Sequence, residues 1–312
     1  MDRTVRLVAT APAKVNLCLD VSPETVGGRH LVRTIMLSLS LADRLEATFD
    51  PDAAEPGVSV EMHSVHGMRA EEIPLEDNLI YKAVVAFHEL VGQPIAASIR
   101  IAVDKRIPAQ SGLAGGSSNC AAAIALTARA LGFDPFGEES VAVARLLGSD
   151  IAFFLTGGCA ALEGYGDVLV EEFAAPYLDI VVARPEQGCD TGKVYRTFDR
   201  RNEQGDPAPR VPYNEMAALL RGKARVSEVA TSIGNSLQEA SFEVEPQVRR
   251  VFEELDGQDR TLATLVSGSG SCCFSLCRDP AAARLTARAL RSAGFWTEAC
   301  ESARHGIVLH EE

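Results

Sequence analysis

A glycine-rich segment between a predicted strand and a predicted helix constrains the fold of this chain most. It reads Pro108-Ala109-Gln110-Ser111-Gly112-Leu113-Ala114-Gly115-Gly116-Ser117-Ser118-Asn119. Residues 97–103 alternate as in a strand, and the alanine-rich residues 117–131 predict a helix with a serine N-cap. Glycines let backbone N–H groups turn toward a ligand, and the helix start adds partial positive charge. We therefore predict a phosphate-binding loop rather than a plain turn with an N-cap.

The spacing of the glycines separates this loop from two common nucleotide-binding motifs. A Walker A loop ends in Gly-Lys-Ser/Thr, and no lysine follows the glycines here. The Gly-x-Gly-x-x-Gly fingerprint of dinucleotide-binding folds is also missing, because Gly112, Gly115 and Gly116 stand three and then one apart. The segment therefore indicates a different kind of phosphate site.

The charge of the chain narrows the class of ligand. The sequence has 30 Lys and Arg against 43 Asp and Glu, a formal net charge of −13. An acidic surface repels phosphate backbones, so we expect neither a nucleic-acid partner nor an anionic membrane surface. An anionic small molecule must then be held by local groups that act against the global field.

The length of 312 residues suggests two domains, at roughly 150 residues each. The composition shifts near residues 174–176, so we place the domains at 1–174 and 175–312. Residues 50–73 read as a surface excursion around a hairpin strand at 58–62, and residues 199–209 as a loop. The eight cysteines lack a Cys-x-x-Cys pair and favour buried free thiols of a cytoplasmic protein. No histidine pattern predicts a dedicated metal site, and no secretory or membrane-spanning segment is expected.

Three further segments carry residues suited to chemistry. Lys14 and Asn16 stand two apart on a predicted strand and share a face. Asp150 follows Gly148-Ser149 and precedes an apolar run, and a second glycine-rich turn spans residues 267–271. Taken singly, these read equally as an edge lysine, a helix cap and a tight turn. Together with the first loop they suggest phosphoryl transfer: Asp150 would orient or accept a hydroxyl proton, and Lys14 would keep Asp150 ionised and stabilise the transferring charge.

In this order the segments resemble the GHMP kinase superfamily of small-molecule kinases. The resemblance is carried by residues 11–17, 28–30, 76–79, 105–118, 148–150, 185, 191–195, 235–237 and 267–270. It implies an α+β, two-domain GHMP kinase fold: an N-terminal domain like ribosomal protein S5 domain 2, a C-terminal ferredoxin-like α/β domain, and a site between them. His30 and residues 191–195 are similar to the member kinases that phosphorylate a hydroxyl of a cytidyl substrate in the non-mevalonate route to isoprenoid precursors.

The resemblance also implies roles for individual residues. Lys14 and Asp150 would be the catalytic pair. The implied ligands are ATP, with Mg²⁺ held through Ser117 or Ser118, and a small-molecule hydroxyl substrate. The residues implied for ATP are Asn78, Lys105, Pro108, Gly112, Leu113, Ala114, Gly115, Gly116, Ser117 and Ser118. Those implied for the substrate are Asn16, Arg29, His30, Asp150, Tyr195, Gly268, Ser269 and Gly270, with His30 reading the cytosine edge and Tyr195 stacking on the base.

Four positions depart from the pattern of the cytidyl kinases. Arg29 stands where a tyrosine is usual, Leu31 where a glutamate is usual, Ala152 where a proline is usual, and Asn119 where an aspartate often follows the serines. These departures leave the catalytic pair intact and concern the identity of the substrate. Two alternatives therefore stay open: another kinase of the superfamily, with a homoserine, mevalonate-type or sugar substrate, and a non-catalytic ligand-binding regulator on the same fold.

Overall fold

Two long antiparallel strands form the frame of the first half of the chain. The computed structural model describes residues 3–64 and 73–310, so residues 65–72 of the predicted surface excursion lie outside the described residues. Strand β1 (Val5–Val26) and strand β2 (Arg29–Asp50) pair as a hairpin whose tip is Gly27-Gly28. The sequence predicts two shorter strands in each. The structure joins them because irregularities between Pro12/Lys14, Asn16/Cys18 and Val21/Thr25 absorb the breaks in register, and a bulge is where a strand tolerates proline.

The remaining elements of the first half complete one sheet and its helical cover. In chain order they are β3 (Gly57–Ser64), a 3₁₀ turn (Leu75–Asp77), α1 (Leu79–Leu90), β4 (Ser98–Lys105), α2 (Gly115–Ala130), α3 (Glu138–Leu147), α4 (Ile151–Thr156), β5 (Cys159–Glu163) and β6 (Val168–Phe173). Helix α2 is almost wholly buried, and its alanines let it pack closely against the sheet and α1. The small side chains thus bring the start of α2 next to β1.

The second half contains a smaller antiparallel sheet. Its elements are β7 (Asp179–Arg184), α5 (Thr191–Glu203), α6 (Tyr213–Arg221), α7 (Val226–Ala230), β8 (Gly234–Asn235), α8 (Gln238–Val244), α9 (Pro246–Asp256), β9 (Thr261–Val266), β10 (Cys273–Cys277), α10 (Pro280–Ser292), β11 (Trp296–Glu301) and β12 (Val308–His310). The order β11-β7-β10-β9, with every pair antiparallel, is the ferredoxin-like order 4-1-3-2. This confirms the predicted α+β class and the predicted C-terminal fold.

The two halves share structure across the predicted boundary. The large sheet has the path β12-β1-β2-β4-β3, with β5 and β6 attached to β2 and β8 attached to β1. Two strands of the C-terminal half, β8 and β12, therefore belong to the N-terminal sheet. The division at 174/175 falls between β6 and β7 and stays a prediction. In the described part of the chain, no helix combines the length and apolar character needed to cross a membrane.

Three local predictions are wrong. The loop predicted at 199–209 is half helix, because α5 continues to Glu203 before Gly205 ends it with a φ of 78°. The serine N-cap of the helix predicted at 117–131 is not used, since α2 begins two residues earlier at Gly115, after Ala114 in the left-handed conformation (φ 55°). The strand at 58–62 is not part of a hairpin, because β3 runs parallel to β4.

Candidate active site

A cavity of about 760 Å³ lies between the two halves, within the size range of small-molecule sites. Its walls come from β1, β2, α1, the start of α2 and the residues before α4 on one side. The start of α5 and the second glycine-rich turn form the other side. The cavity thus collects all four sequence segments that carry the predicted chemistry.

A chain of buried hydrogen bonds fixes Lys14 in the cavity wall. The Lys14 ammonium donates to Asn16 Oδ1 at 2.7 Å, and Asn16 Nδ2 donates to Thr34 Oγ1 at 2.7 Å. Thr34 in turn donates to the carbonyl of Cys18 at 2.7 Å, so its oxygen must accept from Asn16. This order sets the orientation of the Asn16 amide and aims its oxygen at Lys14.

Asp150 lies next to Lys14 in the cavity wall. It occupies the N-cap position of α4, but its side chain makes no cap hydrogen bond. Its Oδ2 lies 3.5 Å from Lys14 Nζ, with the Asp150 side chain 28% exposed and the Lys14 side chain 5% exposed. The cap role that the sequence left open is therefore not used. The carboxylate is free to meet a ligand, with the buried Lys14 ammonium beside it.

The two glycine-rich turns hold each other in place. Ser267 Oγ donates to the carbonyl of Gly112 at 3.0 Å, and Cys272 N–H donates to the carbonyl of Ser111 at 2.9 Å. Gly112 has a φ of 74°, and a Cβ there would collide with the carbonyl oxygen of Ser267. Glycine at position 112 is thus required by the contact between the turns.

The start of α2 borders the cavity and contains two buried oxygens without a hydrogen-bond partner. Gly115, Gly116, Ser117 and Asn119 line the cavity. Ser118 Oγ and Asn119 Oδ1 are buried oxygens with no hydrogen-bond partner in the structure. A buried oxygen that lacks a partner is costly unless a ligand supplies one. Oxygen ligands suit Mg²⁺, and Ser117 in the cavity wall and the unpartnered oxygens of Ser118 and Asn119 supply them, so the residues present fit that ion. Among the described residues, no group of three His, Cys, Asp or Glu side chains could hold a metal by itself.

Asn78, Lys105, Pro108, Gly112 and Ala114 also line the cavity, whereas Leu113 and Ser118, both predicted for ATP, are fully buried and do not line it. Asn78 caps α1 by accepting from the N–H of Ile80 at 2.9 Å. Lys105 makes an ion pair with Asp43, a fully buried carboxylate that also accepts from the backbone N–H groups of residues 106 and 107. The ammonium of Lys105 therefore has a structural partner that the sequence did not reveal.

The residues predicted for the substrate divide into two groups. Asn16, Asp150, Tyr195, Gly268, Ser269 and Gly270 line the cavity, whereas Arg29 and His30 do not. His30 stacks on Tyr195, with ring centroids 5.4 Å apart. Its Nδ1 lies 2.7 Å from the carbonyl oxygen of Ser22, and its Nε2 lies 3.0 Å from Asp199. Both ring nitrogens of His30 are thus engaged by the protein, so its reading of a cytosine edge stays a prediction.

Tyr195 lies close enough to Asp150 and Arg29 to respond to their charges. The pKa of its hydroxyl is raised to about 12, mainly by burial and also by the negative charge of Asp150, with Arg29 acting in the opposite direction. Tyr195 is therefore a neutral hydroxyl at physiological pH. The sequence placed this residue at the substrate but gave no sign of its link to Asp150.

Several cavity residues were missed in the sequence. Thr34 carries no motif of its own. Thr191 belongs to the segment 191–195 that carries the resemblance but was given no role, and its hydroxyl lies 2.8 Å from that of Ser269 and joins α5 to the second turn. Tyr165 also lines the cavity, from the turn between β5 and β6. The one available signal for Tyr165 was its position between two glycines, which marks a tight turn.

Comparison with known proteins agrees with this geometry. The family model described as the GHMP kinases N terminal domain matches residues 78–158, and that described as GHMP kinases C terminal matches residues 216–295. A 4-diphosphocytidyl-2-C-methyl-D-erythritol kinase of Nocardia farcinica is 36% identical over 291 residues, 92% of this chain and 90% of that protein.

Solved structures give the same result. A crystal structure of 4-(cytidine 5'-diphospho)-2C-methyl-D-erythritol kinase matches with a TM-score of 0.72 and 33% identity, over 95% of this chain and 99% of that one. A homoserine kinase from Cytophaga hutchinsonii matches with a TM-score of 0.69 over 98% and 97%, but at 16% identity it shares the fold alone. The chain therefore belongs to the GHMP kinase family and is an ATP-dependent small-molecule kinase.

Proposed function

We propose that the protein transfers the γ-phosphoryl group of ATP to a hydroxyl of 4-diphosphocytidyl-2-C-methyl-D-erythritol, in the cytoplasm, on the non-mevalonate route to isoprenoid precursors. The Lys14–Asp150 pair at 3.5 Å in the wall of a cavity large enough for both ligands carries the proposal. Relatives named for this activity cover the chain almost from end to end. Their similarity supports the substrate, and the pair supports the chemistry.

Asp150 and Lys14 have different roles at the acceptor hydroxyl. The Asp150 carboxylate is partly exposed and uncommitted to its own helix, so it is able to accept a hydrogen bond from the substrate hydroxyl and take its proton as the new O–P bond forms. The buried Lys14 ammonium lies beside that carboxylate and adds positive charge where the phosphoryl group passes. Asn16 holds the ammonium in place.

ATP is proposed to lie along the start of α2. Within residues 112–118, the first turn of the 16-residue helix offers its positive end and the N–H groups of Gly115, Gly116 and Ser117 to the phosphates. The N–H of Ser118 already donates to the carbonyl of Ala114. Asn78, Lys105 and Pro108 line the same part of the cavity and are assigned to the nucleoside end. Ser117 or Ser118 would hold Mg²⁺, which would neutralise phosphate charge when bound, and Ser117 is the one of the two that lines the cavity. These local groups would attract the anionic phosphates although the whole chain has a formal net charge of −13.

Measuring ADP release by the purified protein tests the proposal. We expect Mg²⁺-dependent turnover with 4-diphosphocytidyl-2-C-methyl-D-erythritol and none with homoserine, mevalonate or a hexose. Turnover with one of those three in place of the cytidyl substrate would assign the chain to another branch of the family. Binding of ATP and the cytidyl substrate without turnover would indicate a regulator.

The variant Asp150→Asn separates catalysis from binding. Loss of the carboxylate should lower kcat by about 10²–10⁴-fold, the usual contribution of a general base. The affinity for ATP should change little, because no contact assigned to ATP is removed. Asp134→Asn is a matched control, since Asp134 caps a loop outside the cavity by accepting from the N–H of Phe136. Unchanged turnover in Asp150→Asn would refute the assigned role.

A further inference from the structure

The tips of two hairpins are joined by hydrogen bonds beside the cavity. The turn between β5 and β6 places Tyr165 between Gly164 and Gly166, both with positive φ. The Tyr165 hydroxyl donates to the carbonyl of Val26 at the tip of the β1–β2 hairpin, at 3.0 Å. The N–H of Val32 donates to the carbonyl of Gly164 at 2.8 Å. The Tyr165 ring is therefore held in a fixed position.

Arg29 covers one face of this ring. Its guanidinium carbon lies 4.3 Å from the centroid of Tyr165, a cation–π distance. Tyr165 lines the cavity and Arg29 does not. Arg29 occupies one of the two faces of the ring, so the other face is the one that a ligand in the cavity can contact.

The surroundings of Tyr165 define what kind of ligand fits. Tyr195 lines the same cavity and stacks on His30, the neighbour in the chain of the Arg29 that covers Tyr165, so the two aromatic residues border one region. Because Tyr195 is assigned to the cytidyl substrate, we place the base of that substrate in this region. Aromatic walls with a nearby cation suit a flat base that carries phosphate groups.

We propose that Tyr165 is a specificity-determining residue, the aromatic surface against which the base of the nucleotide substrate stacks, and that Arg29 positions it. The inference rests on the proposed function. It also explains the departure at position 29: the side chain there no longer contacts the base, because a residue from another hairpin supplies the ring and Arg29 supports it from behind.

Substitutions at position 165 test the stacking surface. Tyr165→Leu should raise KM for the cytidyl substrate, and the calorimetric Kd for cytidine 5′-diphosphate, by about tenfold or more, as base–aromatic stacking predicts. KM for ATP should stay within about twofold. Tyr165→Phe keeps the ring and should stay near the parent protein. Equal losses in Phe and Leu would overturn the proposal, because they would assign the effect to the hydroxyl contact with Val26.

Arg29 has a matched control on the same strand. Arg33 lies 4.0 Å over the ring of Tyr213, and neither residue lines the cavity. We expect Arg29→Gln to weaken binding of cytidine 5′-diphosphate several-fold, Arg29→Lys to restore part of it, and Arg33→Gln to leave it within about twofold. Equal losses of cytidine 5′-diphosphate binding in Arg29→Gln and Arg33→Gln would mean that Arg29 only stabilises the sheet, and would contradict its positioning role.

A fluorescence experiment keeps the proposal testable if Tyr165→Leu does not fold. Trp296 is the only tryptophan of the chain and does not line this cavity. In a Trp296→Phe, Tyr165→Trp protein, saturable quenching by cytidine 5′-diphosphate is expected from a stacked base, and unchanged fluorescence at saturation would overturn the proposal. Failure of the proposed function is distinct: the parent protein would then not turn over the cytidyl substrate at all. Turnover with an unaffected Tyr165→Leu would contradict only the role of Tyr165.

Discussion

The ammonium of Lys14 and the carboxylate of Asp150 lie 3.5 Å apart, although 136 positions separate them and they belong to different elements. Lys14 is held from behind by Asn16, which Thr34 holds in turn. The pair thus rests on a hydrogen-bond chain that crosses from β1 to β2. We therefore expect a change in Asn16 or Thr34 to alter first the position of the Lys14 ammonium.

Thr34→Val tests this dependence with little change of shape. The valine removes the acceptor of the Asn16 amide, and a buried group left without its partner costs about 1–3 kcal/mol. We expect kcat to fall by about tenfold and KM for ATP to stay constant. Steady-state kinetics measure both.

Two further variants complete that experiment. Thr34→Ser keeps the oxygen and should recover most of kcat. Thr127→Val removes a buried hydroxyl that donates to the carbonyl of Ala123, away from the cavity, and should leave kcat unchanged. A normal kcat in Thr34→Val would show that Lys14 is positioned without the chain.

How much of this site the sequence predicts depends on how local each signal is. The glycine-rich turn before α2 and the closeness of Lys14 and Asn16 follow from spacing within one segment, so the sequence predicts both. Phosphate binding by that turn stays a prediction. The bond from Asn16 to Thr34 needs the register of β1 against β2, with its bulges, and spacing alone does not supply that register. Tyr165 enters the cavity because two hairpin tips meet, which is a tertiary relation.

The difference between local and tertiary signals also explains why an element of the predicted fold was wrong. The helix α5 begins at a local signal, Asp190, whose side chain accepts from the N–H of Lys193. Its polar second half offers little apolar pattern and reads as a loop, yet it stays helical because Val194 and Phe198 anchor one face in the core. Packing thus overrides the weak local preference.

Gly116→Ala should separate the phosphate site from the stability of the fold. A Cβ at this position would meet only Leu79, at 4.0 Å, and the residue lies in the first turn of α2. Alanine in a helix is more stable than glycine by about 0.5–1 kcal/mol, so Tm should hold or rise. The added methyl group lies beside the cavity, where the phosphates would approach the backbone. KM for ATP should therefore rise by about tenfold or more.

Gly57→Ala is the control for that variant. Gly57 also has free space around a built Cβ, but it begins β3 and does not line the cavity. Its kinetics should match those of the parent protein. An unchanged KM for ATP in Gly116→Ala would place the phosphates elsewhere.

Lys105→Met should cost stability as well as ATP affinity. The variant leaves the fully buried Asp43 carboxylate without its cation, and removal of one partner of a buried pair costs about 3–5 kcal/mol. Urea unfolding measures the loss. Arg210→Gln, which breaks an exposed pair with Glu215, should change the free energy of unfolding little.

The double variant Asp43→Asn, Lys105→Met separates the two effects. Asparagine removes the unpaired charge and still accepts from the backbone of residues 106 and 107, so part of the stability should return. If Lys105 also contacts ATP, KM for ATP stays high in the double variant. A normal KM would restrict Lys105 to its structural role.

Buried thiols should make the protein sensitive to alkaline conditions. Burial raises the pKa of Cys120, Cys159 and Cys272 to about 12, from an ordinary value of 9.0. Between pH 9 and 12 the unfolded chain loses these protons and the folded protein keeps them, so the free energy of unfolding falls as pH rises. Each thiol contributes about 1.4 kcal/mol per pH unit within this window. Urea unfolding under reducing conditions from pH 8 to 10.5 should show the decline.

Cys120→Ala tests the origin of that slope. Cys120 is fully buried in α2 among alanines, and its removal takes away one proton that unfolding would release. The decline above pH 9 should become shallower by about 1.4 kcal/mol per pH unit, whatever the variant does to stability at pH 7. Thr127→Val, a change in the same helix without a titrating group, should keep the parent slope. Equal slopes in all three proteins would mean that Cys120 does not ionise on unfolding, and the alkaline loss would then belong to other groups.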